Sequence, residues 1–195
     1  NAFADWFGAR VVALEPSVGM RREAVRKGLL PGIVQVGAAG EALPLASGSC
    51  DAAWLSTVIH HLRDREACAR ELRRVLRPGA PVLIRSSFPG RHERITVFRY
   101  FPGASRVASG FPSVEEIAEV FRRAGFRRES LEGVPQISAP DLATALAHAR
   151  LRADSTLAPL PDEEFEAGIA ALERDVAAGA SPGPVVDFID LLVLR

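Results

Sequence analysis

The sequence has few of the residues that mark metal-binding, disulfide-linked or membrane proteins. Cys50 and Cys68 are its two cysteines, and they have neither CxxC spacing nor a flanking cluster of metal-ligand type. We therefore expect reduced thiols, no metal site and a cytoplasmic location. No apolar run approaches the roughly 18 residues of a membrane span. No membrane partner is therefore expected.

An excess of charge of either sign is also lacking. The 24 Lys and Arg residues balance 24 Asp and Glu residues, and Lys27 is the single lysine. A nucleic-acid arm needs a local surplus of basic residues, so we expect no nucleic-acid partner. The apolar fraction of 48% over 195 residues is enough for one compact domain, and we predict a single domain over 1–195.

Short apolar runs alternate with helical patterns along the chain. This alternation predicts an α/β protein with a Rossmann-like, mostly parallel sheet and helices on both faces. The last strand follows a long connection, so we expect it to be an antiparallel strand at the sheet edge. The predicted strands cover residues 10–14, 33–36, 52–55, 81–85, 126–131 and 187–194.

Several helices carry recognisable start and stop signals. Ser113 and Glu116 form a capping-box pattern, and Asp64, Asp141 and Asp162 are expected to open further helices. Ser17 is expected to cap a helix that ends before Gly28 and turns Met20, Ala24 and Val25 inward.

Glu15 directly follows an apolar strand and precedes Pro16 and the helix cap. In open α/β sheets ligands bind at the carboxyl ends of the strands, where an acidic side chain typically accepts the hydroxyls of a ribose. Taken alone, Glu15 is equally well interpreted as a solvated acid at a strand end.

Two segments together carry a family resemblance. VGAAGEALPLASGSCDAAWLSTVIHHL (36–62) and ELRRVLRPGAPVLI (71–84) resemble the class I S-adenosylmethionine-dependent methyltransferases, in particular the small-molecule type 11 group. The family shows, in this order, an acid after its second strand, a GDAEALPF-like turn, FD with a strand, HHL, and a helix ending in LRPGG. GFPSVEEIAEVFRRAGF (110–126) looks like the helix before the family's sixth strand.

The resemblance implies S-adenosylmethionine as the cofactor and assigns roles to individual residues. Glu15 and the adjoining Pro16 would hold the ribose, and Met20 would pack on the adenine, although plain core filling explains Met20 equally well. Ala38, Ala39 and Gly40 would let the backbone approach the adenine edge. Ser56 and Thr57 would lie by the methionine half of the cofactor, or they are simply polar residues that end a strand.

The sequence departs from the family pattern at two important places. The first strand of the family and its glycine-rich GxGxG loop are absent, so we expect an apolar strand, a glycine-rich turn and a helix upstream of Asn1, or a second chain that supplies them. Ala39 stands where the family often has Asp, so the usual carboxylate contact to the adenine amino group is not expected.

His60 and His61 are the candidates for a general base. Methyl transfer from a sulfonium is an in-line displacement, so a base is needed only where the acceptor must lose a proton. His61 aligns with a position that acts as a base in some relatives, and His60 is the alternative. A structural role at the start of a helix is the competing interpretation for both residues.

Residues 86–109 are expected to form a lid over the acceptor, and 133–185 a variable insertion. Residues 85–106 contain five arginines, and Arg91, Arg94 and Tyr100 are our candidates for binding an anionic, partly apolar acceptor. A solvated basic face is the alternative. Between Asp154 and Asp190, nine acidic residues accompany one arginine, which predicts either exposed helix surface or a complement to the basic segment.

These observations predict an enzyme that transfers a methyl group to O, N or C of a small molecule, in the biosynthesis of a specialised metabolite. A catalytically silent Rossmann-like protein that binds a ligand or a partner is the alternative. An enzyme that binds NAD or a nucleotide sugar is a third interpretation, because an acid at a strand end can accept the ribose hydroxyls of any nucleotide. The sequence does not define an oligomeric state.

Overall fold

The computed structural model describes residues 2–195 and contains eight α-helices and six strands in that range. The helices are α1 (Ala2–Phe7), α2 (Val18–Arg26), α3 (Arg65–Val75), α4 (Thr96–Tyr100), α5 (Pro102–Ala108), α6 (Val114–Arg123), α7 (Leu142–Arg150) and α8 (Asp162–Ala177). The strands are β1 (Val11–Leu14), β2 (Ile33–Val36), β3 (Ala53–Ser56), β4 (Val82–Ser86), β5 (Arg128–Ala139) and β6 (Val185–Leu194). A single 3-10 turn, Ile59–His61, follows β3.

Contacts within the chain divide it into two compact units, whereas the sequence predicts a single domain. The N-terminal unit consists of the chain up to Asp51 together with Leu62–Ala80. The C-terminal unit consists of Ala52–His61 and Pro81–Arg195.

The N-terminal unit contains a two-stranded parallel sheet. β1 and β2 pair in register, with Leu14 opposite Val36 at their carboxyl ends. Between them, α2 begins at Ser17, whose hydroxyl accepts a hydrogen bond from the Met20 amide, and ends before Gly28, which has φ +86°. The predicted cap and stop of this helix are confirmed.

The inward orientation predicted for the apolar side chains of α2 is wrong for two of them. Met20 and Val25 are each 60% exposed in the structure. A 3.6-residue period shows which side chains share a helix face, but it does not show whether that face is covered. Plain core filling therefore does not explain Met20.

The C-terminal unit is built on a four-stranded sheet in the order β3-β4-β6-β5. β3 runs parallel to β4, and β6 is antiparallel to both β4 and β5. Only β6 therefore runs against the other three strands, and the predicted α/β fold with a mostly parallel sheet is confirmed.

The antiparallel orientation predicted for the last strand is confirmed, but its position at the edge is corrected. β6 lies between β4 and β5, and β5 forms the edge. Six of the ten β6 residues are buried, and they include neighbours on opposite faces, as expected for an inner strand that is covered on both faces. β5 contains Pro135, which has no N–H to donate and is tolerated mainly on edge strands.

A second layer of helices packs on β5 and β6 through one apolar cluster. Its buried members come from α4, α5, α7, α8, the two strands and the segment before α8. Gly168 of α8 faces Phe101, and a Cβ at this position would collide with the Phe101 ring and lie 2.9 Å from the Tyr100 carbonyl oxygen. The close approach of α8 to this segment therefore requires a glycine.

Among residues 2–195, no helix is long and apolar enough to cross a membrane. The longest of them, α8, has 16 residues.

The capping box of α6 provides a test of the local structure. Ser113 accepts a hydrogen bond from the Glu116 amide, and Glu116 accepts one from the Ser113 amide. We expect Ser113→Ala to lower the free energy of unfolding by about 1 kcal/mol, because a buried-face helix loses its N-cap. Urea denaturation followed by circular dichroism measures this change.

Ser109→Ala is the matched control, since Ser109 is exposed and its hydroxyl donates only to the Ser105 carbonyl at the end of α5. Its expected effect is within about 0.5 kcal/mol. Equal losses for the two variants would contradict the role given to the α6 cap.

Candidate functional site

Glu15 lies directly after β1, at the carboxyl end of the two-stranded sheet. Its amide donates to the Val36 carbonyl at 3.1 Å, which places it beside the end of β2. One carboxylate oxygen accepts a hydrogen bond from the Ser17 amide at 2.8 Å. The half-buried Glu15 carboxylate thus has a fixed orientation at the edge of the sheet where ligands bind in α/β folds.

Arg21 fixes the backbone around this carboxylate, a role that the sequence analysis did not predict. Its Nη1 donates to the carbonyl oxygens of Glu15 at 2.7 Å and Pro16 at 2.9 Å. A Cβ on Gly37 would lie 2.9 Å from Arg21 Cζ, so the guanidinium packs directly against this glycine. The sequence feature that could have indicated this role is the position of Arg21 near the N-terminus of a helix, where the helix dipole disfavours a positive charge.

Residues Ala38, Ala39 and Gly40 follow β2 in the same unit and have no long side chains. Gly40 packs closely, since a Cβ there would lie 3.0 Å from Cys68 Sγ and 3.1 Å from Leu62 Cδ2. Burial raises the pKa of the Cys68 thiol to about 12, so this thiol is inert packing. Ala39 is exposed and carries no polar group for a ligand.

The loop that follows, residues 41–46, is tied to α3. Glu41 accepts hydrogen bonds from the backbone at the start of α3, and Leu43 donates its amide to Glu71 at 2.8 Å. Arg74 donates to the carbonyls of Leu43 at 2.9 Å and Leu45 at 2.7 Å, and it pairs with Glu71 at 2.7 Å. This bonding to Arg74 and to the Leu43 amide lowers the pKa of Glu71 to about 2.

In the C-terminal unit, Ser56 and Thr57 lie at the carboxyl end of β3. The Ser56 hydroxyl accepts a hydrogen bond from Arg85 Nη1 at 3.0 Å, and the Thr57 amide donates to the Arg85 carbonyl at 2.8 Å. Thr57 has φ +49°, a left-handed conformation that disfavours a β-branched residue. Backbone strain of this kind clusters at functional sites.

His60 and His61 occupy the 3-10 turn after β3 and have different surroundings. The His60 ring stacks on Phe111 with centroids 4.1 Å apart, and its Nε2 lies 3.2 Å from Ser155 Oγ. His61 is exposed, and its ring contacts that of His60 at a centroid distance of 4.1 Å. His60 is therefore packed into the unit, while His61 is accessible to solvent.

The predicted acceptor-binding residues of segment 86–109 each have a partner within the C-terminal unit. Arg91 makes a two-point ion pair with Asp190 at 2.7 and 3.0 Å, and Arg94 lies over the Phe188 ring at 3.1 Å. The Tyr100 hydroxyl donates to Asp175 at 2.7 Å. Their role in binding an acceptor stays a prediction.

Aromatic residues of the same segment are also packed inside the unit. Phe88 and Phe101 are each 1% exposed, and Phe101 stacks on Phe165 of α8. The segment forms α4 and α5, two helices that the sequence analysis did not predict.

Among residues 2–195, no group of three or more His, Cys, Asp or Glu residues could hold a metal ion.

Comparison with known proteins finds similarity to methyltransferases over the N-terminal part of the chain. Residues 1–84 match the model of a family described as a methyltransferase domain. This stretch includes Glu15, Ala38–Gly40, Ser56, Thr57, His60 and His61. The N-terminal 84 residues are therefore similar to methyltransferase domains.

A curated protein is similar to part of this chain. It is the ubiquinone/menaquinone biosynthesis C-methyltransferase of Syntrophotalea carbinolica, 40% identical over 79 residues. The match covers 39% of this chain and 33% of the relative, so the chain spans about a third of the length of the curated relative that it matches.

Solved structures share the fold of this chain at low sequence identity. One is a protein of Anabaena variabilis described as a methyltransferase from an antibiotic biosynthesis pathway, with 21% identity and a TM-score of 0.69. That match covers 95% of this chain and 81% of the other. Another is a [4+2]-cyclase, with 18% identity, a TM-score of 0.57, and 98% and 67% coverage.

The pairing of Glu71 with Arg74 makes the stability of the N-terminal unit depend on pH. A lowered carboxyl pKa stabilises the folded state above the ordinary pKa near 4.5, and this contribution is lost as pH falls towards about 2. We expect Glu71→Gln to be less stable than the parent at pH 7, with a difference that shrinks at pH 3. Chemical denaturation at both pH values measures it.

Glu166→Gln is the control, because Glu166 is exposed and lies in none of the described ion pairs. Its difference from the parent should stay small at both pH values. A Glu71→Gln difference that is the same at pH 7 and pH 3 would contradict the assigned role of the carboxylate.

Proposed function

We propose that this chain binds S-adenosylmethionine and transfers its methyl group to O, N or C of a small molecule, in the biosynthesis of a specialised metabolite. The observation that carries the proposal is the match of residues 1–84 to the methyltransferase domain family, with Glu15 at the carboxyl end of β1. The curated relative acts on carbon by its name, but the match covers a third of that protein, so the proposal keeps all three acceptor atoms.

The residues of the N-terminal unit suit the nucleoside part of this cofactor. The fixed Glu15 carboxylate offers an oxygen acceptor for ribose hydroxyls, and the small residues 38–40 allow a close approach of the backbone. The exposed Met20 is available to pack on an adenine ring. Ala39 offers no acceptor to the adenine amino group, so recognition of that group falls to the backbone.

When bound, the cofactor would supply an activated methyl group on a sulfonium. The sulfur is the leaving group, and it departs as a neutral thioether without acid assistance. The work of the chain is to orient the acceptor and exclude water, and these contributions account for much of the rate enhancement in such a displacement. Ser56 and Thr57 at the end of β3 are proposed to hold the methionine half. His61, the accessible histidine, is proposed to take a proton from the acceptor where one must leave.

A catalytically silent ligand-binding protein is the second candidate. Ala39 favours it, because the chain lacks the acidic contact to adenine that the family often has. The [4+2]-cyclase among the structural neighbours also shows that the fold alone does not define the reaction.

Cofactor binding is tested by calorimetric titration with S-adenosylhomocysteine and with NAD. We expect S-adenosylhomocysteine to bind and Glu15→Gln to weaken its binding by about 1.5 to 3 kcal/mol, because a charge-assisted hydrogen bond to the ribose is lost. The glutamine retains an oxygen for the Ser17 amide, so the unliganded melting temperature should change little.

Glu166→Gln should bind S-adenosylhomocysteine as the parent does. Preferential binding of NAD would favour the alternative that the chain is an enzyme that binds NAD or a nucleotide sugar. Equal affinity of Glu15→Gln and the parent would refute the ribose assignment.

The role of His61 is tested by turnover, measured as release of S-adenosylhomocysteine across a panel of hydroxyl, amine and acidic-carbon acceptors. If His61 is a base, His61→Ala should lower turnover on the order of 100-fold and alter its pH profile, with unchanged cofactor affinity. His148→Ala is the control, since His148 is also exposed. A His61 variant with parental turnover and a lower melting temperature would show a purely structural role.

A further inference from the structure

Arg85 is the last but one residue of β4, and its side chain crosses to two other strands of the C-terminal unit. Nη1 donates to Ser56 Oγ of β3 at 3.0 Å, and Nε donates to Gln136 Oε1 of β5 at 3.0 Å. Nη2 also donates to Gln136. The guanidinium group is thus fixed at the carboxyl ends of the parallel strands β3 and β4, where ligands bind in α/β sheets.

The partners of Arg85 differ in charge from those of three other arginines nearby. Arg91, Arg99 and Arg106 pair with the carboxylates of Asp190, Asp175 and Glu164, and Arg94 lies over an aromatic ring. Within residues 2–195, Arg85 forms no ion pair, and its described partners are a hydroxyl and an amide oxygen. Arg85 and Arg94 are therefore the two arginines of this segment without a carboxylate partner in the described chain, and of these two Arg85 is the one whose guanidinium is fixed by described side-chain hydrogen bonds.

Such an arrangement is costly for the free protein. Partial burial lowers the pKa of Arg85, yet a guanidinium stays protonated at neutral pH. A partly buried charge without a counter-charge is less stable than a paired one, so an anion placed against it would bind favourably. The described bonds use three of the five N–H donors, and the two that remain suit the two oxygens of a carboxylate.

We propose that Arg85 is a ligand-binding residue that holds a carboxylate at the carboxyl ends of β3 and β4. Gln136 and Ser56 are positioning residues that fix its guanidinium plane. The inference rests on the proposed function for the source of this carboxylate. It belongs either to the methyl acceptor, which makes the acceptor a carboxylic acid, or to the amino-acid end of the cofactor.

The test uses two pairs of probes, each containing one ligand with a carboxylate and one without. Benzoate and benzamide represent the acceptor, and S-adenosylhomocysteine and 5′-methylthioadenosine represent the cofactor. Calorimetry is performed on the parent, Arg85→Gln, Arg85→Lys and the control Arg106→Gln, which removes the same charge from an exposed ion pair. Thermal unfolding shows whether each variant is folded. If Arg85→Gln does not fold, Arg85→Lys, which keeps the charge, is the variant that tests the proposal.

The parent should bind the carboxylate member of at least one pair more tightly than its neutral partner. Arg85→Gln should lower that affinity at least tenfold and leave the neutral member unchanged, and Arg85→Lys should restore only part of it because an ammonium group lacks the planar fork. A loss confined to benzoate identifies the acceptor as the source. A loss confined to S-adenosylhomocysteine identifies the cofactor.

The proposal is overturned if the Arg85 variants bind both carboxylate probes as the parent does, or if the parent binds neither. Failure of the parent to bind either nucleoside would instead count against the proposed function, while the benzoate titration still decides the role of Arg85.

Discussion

The C-terminal unit depends on two buried carboxylates of its inner strand β6. Asp190 is 4% exposed and pairs with Arg91, and Asp187 is 7% exposed and accepts hydrogen bonds from the amide and hydroxyl of Thr96. A buried charge that loses its partner typically costs about 3 to 5 kcal/mol. These two contacts therefore determine where the segment between β4 and α4 runs, and with it the position of α4 and α5 on the sheet.

Local features of the fold could be predicted from the sequence because each depends on neighbouring residues. The caps of α2, α3, α6 and α7 are formed by Ser17, Asp64, Ser113 and Asp141, as predicted, since a cap bonds an amide three residues away. β2 was predicted with its observed bounds, because an apolar run between turn residues is a local signal.

Features that depend on distant residues could not be predicted. β6 was expected at the edge, but its position follows from pairing with both β4 and β5, and no local pattern reports a neighbour. The exposure of Met20 and the bonding of Arg21 to the Glu15 carbonyl likewise depend on what surrounds α2. For the candidate site, the resemblance indicated Glu15 and the strand ends, whereas Arg85 and Gln136 meet across three strands and left no signal in the sequence.

The opposite charges of residues 85–106 and 154–190 favoured two interpretations, and the structure supports mutual complementarity. Ion pairs join Arg99 to Asp175 and Arg106 to Glu164 as well as Arg91 to Asp190. The first two pairs are largely exposed, and such pairs contribute about 0 to 1 kcal/mol and weaken with salt. The Arg91 pair, with its buried carboxylate, is screened much less. Most of the basic charge of the segment is thus used to hold the unit together, so its net charge is poor evidence for an anionic acceptor. Evidence for such an acceptor must come from a cation that has no internal carboxylate.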